Sequence, residues 1–177
     1  MTIGPATPRP RSPARNPLDM IAMCHEAQAE MCDALEHIAD GLPDDIDRRL
    51  CARLAGWLQF DLALHHHDEE EALFPLLRKR AHPQDRLDMI LERLASEHST
   101  DMDLASDIAE ELASLAQGHR PANPEMLGYM LRGFFEAYRR HVHWENALLM
   151  PLARQRLTLE DLELLQARLD EIRTQAV

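Results

Sequence analysis

His25, His66, His98 and His141 each fall near the middle of an apolar stripe, where a leucine or alanine is expected. Glu70 follows His66 by four residues, and Glu145 follows His141 by four. On a helix that spacing puts both side chains on one face, roughly 5–6 Å apart at Cβ, within reach of one metal ion or a bridged pair. Taken singly, each residue is ordinary: a lone core histidine is more often a hydrogen-bonded structural residue than a ligand, and His-x-x-x-Glu is a common helix-surface pair. The set is another matter. Four imidazoles and two carboxylates in one core carry a heavy desolvation cost unless they are paired or bind metal. Imidazole with carboxylate selects Fe, Mn or Zn over Ca or Mg, and two carboxylates on facing helices suit a dinuclear site.

The elements that must position these groups are helices. Apolar residues recur at intervals of three and four from Leu18 to about residue 41, from about 46 to 80, from about 84 to 117 and from about 124 to 154. A shorter helix, about 159 to 174, starts after Thr158, a suitable N-cap with Asp161 three residues on. Gly41 with Pro43, His82 with Pro83, and Gly118 with Pro121 to Pro124 separate the long segments. The expected fold is all-α: an antiparallel up-down four-helix bundle with a short C-terminal fifth helix. Counting from each connection at ~1.5 Å per residue brings the histidines to nearly one level, with the first connection fitting least well.

Composition narrows the function classes. The 177 residues suit one domain with a single core, and 45% hydrophobic with 28% charged residues is a globular balance. A net charge of -12 repels phosphate backbones and argues against nucleic acid as a partner. No apolar run approaches the ~18–20 residues of a membrane span, and the N-terminus has no apolar signal region. Cys24, Cys32 and Cys51 are odd in number and form no CxxC pair, which fits free thiols in a reducing cytoplasm. Residues 1–17, with prolines at 5, 8, 10, 13 and 17, read as a disordered Pro/Arg-rich tail whose Arg9, Arg11 and Arg15 suit an acidic protein partner; residues 18–177 form the domain.

Ferritin-like carboxylate proteins use ExxH, and none of the ten histidines has Glu three residues before it. The segment HHHDEEEALFPLL at 65–77 instead resembles the second-helix motif of hemerythrin-like, or HHE cation-binding, domains, and HVHWENALLMPLA at 141–153 resembles their fourth-helix motif. His25 and Glu97-His98 fall where that family places its first- and third-helix ligands, and the similarity covers about residues 18–155. It implies a non-haem diiron centre, with His25 and His66 on one iron, His98 and His141 on the other, and Glu70 and Glu145 bridging. Manganese or a mixed pair suits the same donors.

One departure stands out. Oxygen-carrying hemerythrins supply two third-helix histidines four residues apart, whereas here position 94 is Leu and position 102 is Met. One ion thus lacks a histidine, and His67 is a candidate seventh ligand beyond the six. His65, His66 and His67 point about 100° apart and cannot all face inward, so His65 is expected in solvent. His143, His37, His82 and His119 carry no ligand case. Cys32 reads as a buried structural thiol, Tyr138 as a core or site-side residue one turn before His141, and Glu69, Glu71 and Glu97 as partners that orient imidazoles. The functions implied are binding of O2, NO or peroxide for sensing or stress response, a peroxide-consuming enzyme, or iron storage and handling. The missing histidine turns the balance away from reversible oxygen carriage.

Overall fold

The computed structural model describes residues 16–175; the expected tail lies outside the described residues apart from Asn16 and Pro17, where the first helix begins. The helices are α1 (Pro17–Gly41), α2 (48–80), α3 (Leu87–Ala116), α4 (124–156) and α5 (Leu159–Gln175), and no strand occurs among the described residues. The starts of α1, α2, α4 and α5 are set by side chains that take up otherwise unpaired N–H groups. Asn16 accepts from Leu18, Asp47 from Arg49 and Leu50, and Asn123 from Met126. At the start of α5, Asp161 accepts from Thr158 N–H at 3.0 Å while its own N–H donates to Thr158 Oγ1, a reciprocal cap. Gly118, at φ 93, provides the left-handed residue that closes α3.

The four long helices form the antiparallel bundle, α1 packing on α4, α2 on α3, and α3 on α4. The first connection fits once α2 begins at Arg48: Gly41 and Arg48 then lie about equally far along their helices from His25 and His65. The apolar interior is divided in two. Leu35, Leu54, Leu58, Leu112, Leu131 and Phe134 belong to one half-core. Leu18, Ile21, Leu73, Leu77, Leu91, Leu94 and Leu149 belong to the other, which α5 completes with Leu165 and Leu169. His25, His66, His98 and His141 lie between them along the chain, so the bundle is two apolar blocks with a polar slab between.

Three turns in these helices are wider than α. Leu62 N–H donates to Trp57 O, Phe74 N–H to Glu69 O, and Met150 N–H to Glu145 O, each five residues back, which defines π turns at Trp57–Asp61, Asp68–Leu73 and Glu145–Leu149. Each contains one residue more than an α turn and resets the phase of the helix beyond it. A pure α-helix turns ~100° per residue, so repeated steps of four drift by ~40° each. The run Leu50, Leu54, Leu58, Leu62 and His66 stays in the core because the turn at Trp57–Asp61 takes that drift back. In α4 the same effect moves the stripe by one residue. Leu148, an expected stripe position, is 40% exposed, and Leu149, Met150 and Ala153 are buried instead.

Pro75 and Pro151 follow the two site-proximal π turns and bring no N–H to the helix ladder. The carbonyl of Glu71, four residues before Pro75, accepts from Arg168 of α5 at 3.4 Å. No described helix is long and apolar enough to cross a membrane. Deleting Ala147, which is exposed within the π turn Glu145–Leu149, takes out the extra residue, converts the wide turn to an α turn and leaves Leu149 and Ala153 in phase with the core. Made together with Pro151→Ala, which removes a ring that an α turn accommodates poorly, the deletion is expected to keep both the far-ultraviolet helix signal and the thermal unfolding midpoint; a sharp fall in the midpoint would show that the wide turn is not the feature that phases Leu149 and Ala153.

Candidate metal centre

Seven buried residues from all four long helices converge in the slab: His25 of α1, His65, His66 and Glu69 of α2, His98 of α3, and His141 and Glu145 of α4. Their donor atoms form three overlapping groups, each with every atom within 4.8 Å of the others. One group is His25, His65, Glu69 and Glu145, another is His66, His98 and His141, and the third joins Glu69 and Glu145 to His98 and His141. The two glutamates therefore stand between the histidine sets. Glu145 lies 3.3 Å from His25 Nε2 and 3.0 Å from His141 Nε2, and Glu69 lies 3.5 Å from each of His25 and His98.

The structure gathers His25, His66, His98, His141 and Glu145 in one place, and it differs from expectation along the second helix. Glu70, expected as a bridging carboxylate, does not point into the centre. Its side chain is 37% exposed, and its Oε1 accepts from His98 Nδ1–H at 2.6 Å. Glu69, expected to orient an imidazole, is fully buried between the histidines. The two have exchanged positions because adjacent helical residues point ~100° apart and Glu69 stands second in the wide turn. His65, expected in solvent, is buried, and His67, expected as a seventh ligand, is exposed. Two neighbours can straddle the inward direction by ~50° each, whereas the third in a row faces out.

A pattern present in the sequence identifies Glu69. Aligned on their prolines, the two motifs share His-x3-Glu-x5-Pro: His65, Glu69 and Pro75 match His141, Glu145 and Pro151. The next position matches in role as well. Glu70 receives the outer N–H of His98, and Asn146 receives that of His25 at 2.8 Å. Glu97 does the same for His141 at 3.0 Å and is itself held by Arg93 Nε at 2.8 Å. With Nδ1 occupied outward, each ring presents Nε2 inward, the orientation a metal ligand requires.

His66 breaks this internal symmetry, since Val142 stands at its counterpart. Its ring stacks on His98 at 3.9 Å and 9°, and it joins His98 and His141 as a third imidazole. The third imidazole beside His98 and His141 thus comes from the neighbouring helix, and Leu94 is buried in the apolar half-core. Tyr138 is fully buried one turn away, stacked on His141 with centroids 5.6 Å apart. Cys32 is buried, its thiol pushed up to about 12 by burial and so inert. His37, His82, His119 and His143 are exposed.

The donor set fits a cation pair. Both oxygens of Glu69 and Glu145, both ring nitrogens of His66, and Nε2 of His25 and His65 are buried without a hydrogen-bond partner. Such a concentration of unpartnered polar atoms is unfavourable in a protein interior, and bound metal would satisfy the four carboxylate oxygens and one nitrogen of each histidine together. The electrostatics agree. Burial, with Glu145 alongside, raises the Glu69 carboxyl to about 7, while Glu145 is held well below the usual range by His141 and His98 despite its burial. Burial opposes a charge on His141, yet the Glu145 contact and Glu97 raise it to about 9; burial drives His65 down to about 3.

In metal titrations, Glu69→Gln and His66→Ala are expected to lower bound metal per chain, His67→Ala to leave it unchanged, and Glu70→Gln to weaken affinity by ~10–100-fold through its hold on His98. Unchanged binding in Glu69→Gln would return the central role to Glu70. Binding is also expected to depend on pH. Metal requires a neutral His141, which in the metal-free chain stays protonated up to about 9. Uptake near pH 7 therefore expels protons, and affinity should climb about tenfold per unit between about pH 7 and 9, then level off. A flat affinity across that interval in anaerobic titrations with ferrous iron would contradict the assignment.

No curated protein matches the chain. The family model described as the hemerythrin HHE cation-binding domain matches residues 16–153, from the cap of α1 to the end of the second Pro-containing motif. The chain belongs to the hemerythrin HHE cation-binding domain family.

Proposed function

We propose that the chain holds a pair of non-haem iron ions in the slab, and that the pair binds O2, NO or peroxide in sensing or in a response to oxidative or nitrosative stress. The observation that carries this reading is the sharing of Glu69 and Glu145 between a two-histidine set and a three-histidine set, with the four buried carboxylate oxygens facing histidines but accepting no hydrogen bond. His25 and His65 would serve one ion, His66, His98 and His141 the other, and the two glutamates would bridge. A mixed nitrogen and carboxylate set of this kind suits Fe in either oxidation state, and also Mn. Bound iron supplies one-electron redox chemistry and an affinity for small oxidants.

The chain's own residues supply the rest. Glu70, Asn146 and Glu97 fix three imidazoles through their outer nitrogens, so those rings need no reorientation when metal arrives. The apolar half-cores on either side exclude bulk water and strengthen every electrostatic interaction inside. The second reading is a peroxide-consuming enzyme. It is favoured by the unequal division of nitrogens, which leaves more room for an added ligand beside His25 and His65.

Metal analysis of the full-length protein is expected to give about two irons per chain, with ligand-to-ferric charge-transfer absorption in the near ultraviolet, and His66→Ala should lower both. A stable adduct with NO or peroxide, without turnover, favours the sensor. Repeated loss of hydrogen peroxide that disappears in His66→Ala favours the enzyme. Near-zero metal after expression with ample iron would sink both.

A further inference from the structure

Two cavities approach the slab from outside. One, of about 300 Å³, reaches His141 on the side of Glu97, where the outer nitrogen of the ring is already bonded and Arg93 braces the carboxylate. The other, of about 280 Å³, lies between α1, α2 and α5 and is lined by Cys24, Gln28, Trp57, His65, Asp68 and Arg173. It ends on His65, whose Nε2 has no hydrogen-bond partner. At ~30 Å³ per water it has room for several small polar molecules.

The polar groups lining this second cavity are unusual. Gln28 is 3% exposed and Asp68 2%, and each holds a buried oxygen, Oε1 and Oδ1, with no hydrogen-bond partner. The other Asp68 oxygen accepts from Arg173 Nη2 at 2.7 Å. Arg173 belongs to α5, which lies beyond the family-matched residues 16–153. A buried oxygen acceptor is stabilised by a molecule that donates hydrogen bonds. O2 and NO have no hydrogen to give, whereas hydrogen peroxide has two donors and is little larger than water.

We propose that this cavity is a chamber for hydrogen peroxide beside the metal pair, in which Gln28 and Asp68 accept its O–H groups and Arg173 of α5 latches the mouth. The inference rests on the diiron reading above and deepens it, since it selects one among the three small ligands. Selection is by hydrogen-bond donation: a diatomic without O–H passes the same groups without gain. α5 thus has a role beyond completing the lower half-core, because its last turn holds the cation that closes the chamber.

The test uses the full-length, iron-loaded protein and two probes, hydrogen peroxide and NO, each followed by stopped-flow absorbance of the metal centre. Gln28→Met keeps the volume and removes the amide. It is expected to slow peroxide association about tenfold, the loss of one good hydrogen bond, while NO association stays within about twofold. Equal slowing of both probes, or of neither, in protein with its full iron content overturns the chamber and leaves the diiron reading standing. Failure to load iron overturns both. Arg173→Lys, which keeps the positive charge beside Cys24 and loses the guanidinium that holds Asp68, provides a readout that needs no metal. Cys24 lines the cavity, so its alkylation by iodoacetamide in metal-free protein, read by mass spectrometry, should quicken several-fold, with the buried Cys32 and Cys51 as internal controls. An unchanged Cys24 rate would overturn the latch.

Discussion

The organising constraint in this protein is the desolvation of seven ionisable side chains at the centre of an apolar bundle. Removing a charged carboxylate or imidazolium from water costs several kcal/mol even after relaxation, and here the groups come as a cluster. Proximity lets the chain tolerate it: Glu145 stays ionised because His141 and His98 face it, and His65 stays neutral because burial leaves it no alternative. The outer nitrogens of His25, His98 and His141 are satisfied by Asn146, Glu70 and Glu97. The remaining polar atoms are directed inward, and a metal pair of positive charge is the species that would compensate them. The half-cores above and below then act as walls, holding four helices at fixed spacing so that the donors cannot relax apart.

The slab is built from a repeated device. His65, Glu69 and Pro75 on α2 correspond to His141, Glu145 and Pro151 on α4, and each glutamate lies at the start of a π turn that ends two residues before its proline. The wide turn accommodates a residue without N–H and at the same time sets the phase so that apolar residues return to the core beyond it. The neighbouring helices α1 and α3 contribute one histidine each, His25 and His98, fastened by the residue after each glutamate. His66 has no counterpart. That single asymmetry gives the two ends of the slab different nitrogen counts.

Beyond the matched domain, α5 returns across α1 and α2. Leu165 and Leu169 seal the half-core of Leu18 and Leu73, Arg80 grips Asp161 through two hydrogen bonds, and Arg168 and Arg173 reach Glu71 and Asp68 within the site's wide turn. The helix thus couples packing at the base of the bundle to the polar surroundings of His65.

Much was legible in the residues alone. Three- and four-residue periodicity marks every helix, because a stripe of leucines is stable only when it is shared with another such stripe. A histidine set into the middle of each stripe marks a polar layer, because a core does not retain imidazoles at one level without compensation. His25, His98, His141 and Glu145 come directly from that reasoning. Only the tertiary structure decided the choice among His65, His66 and His67 and between Glu69 and Glu70. Consecutive residues of a helix differ by about 100° in direction, and a π turn shifts that direction by one residue. Periodicity that assumes an unbroken α-helix therefore fails at the wide turns, even though the paired prolines in the sequence mark where they fall.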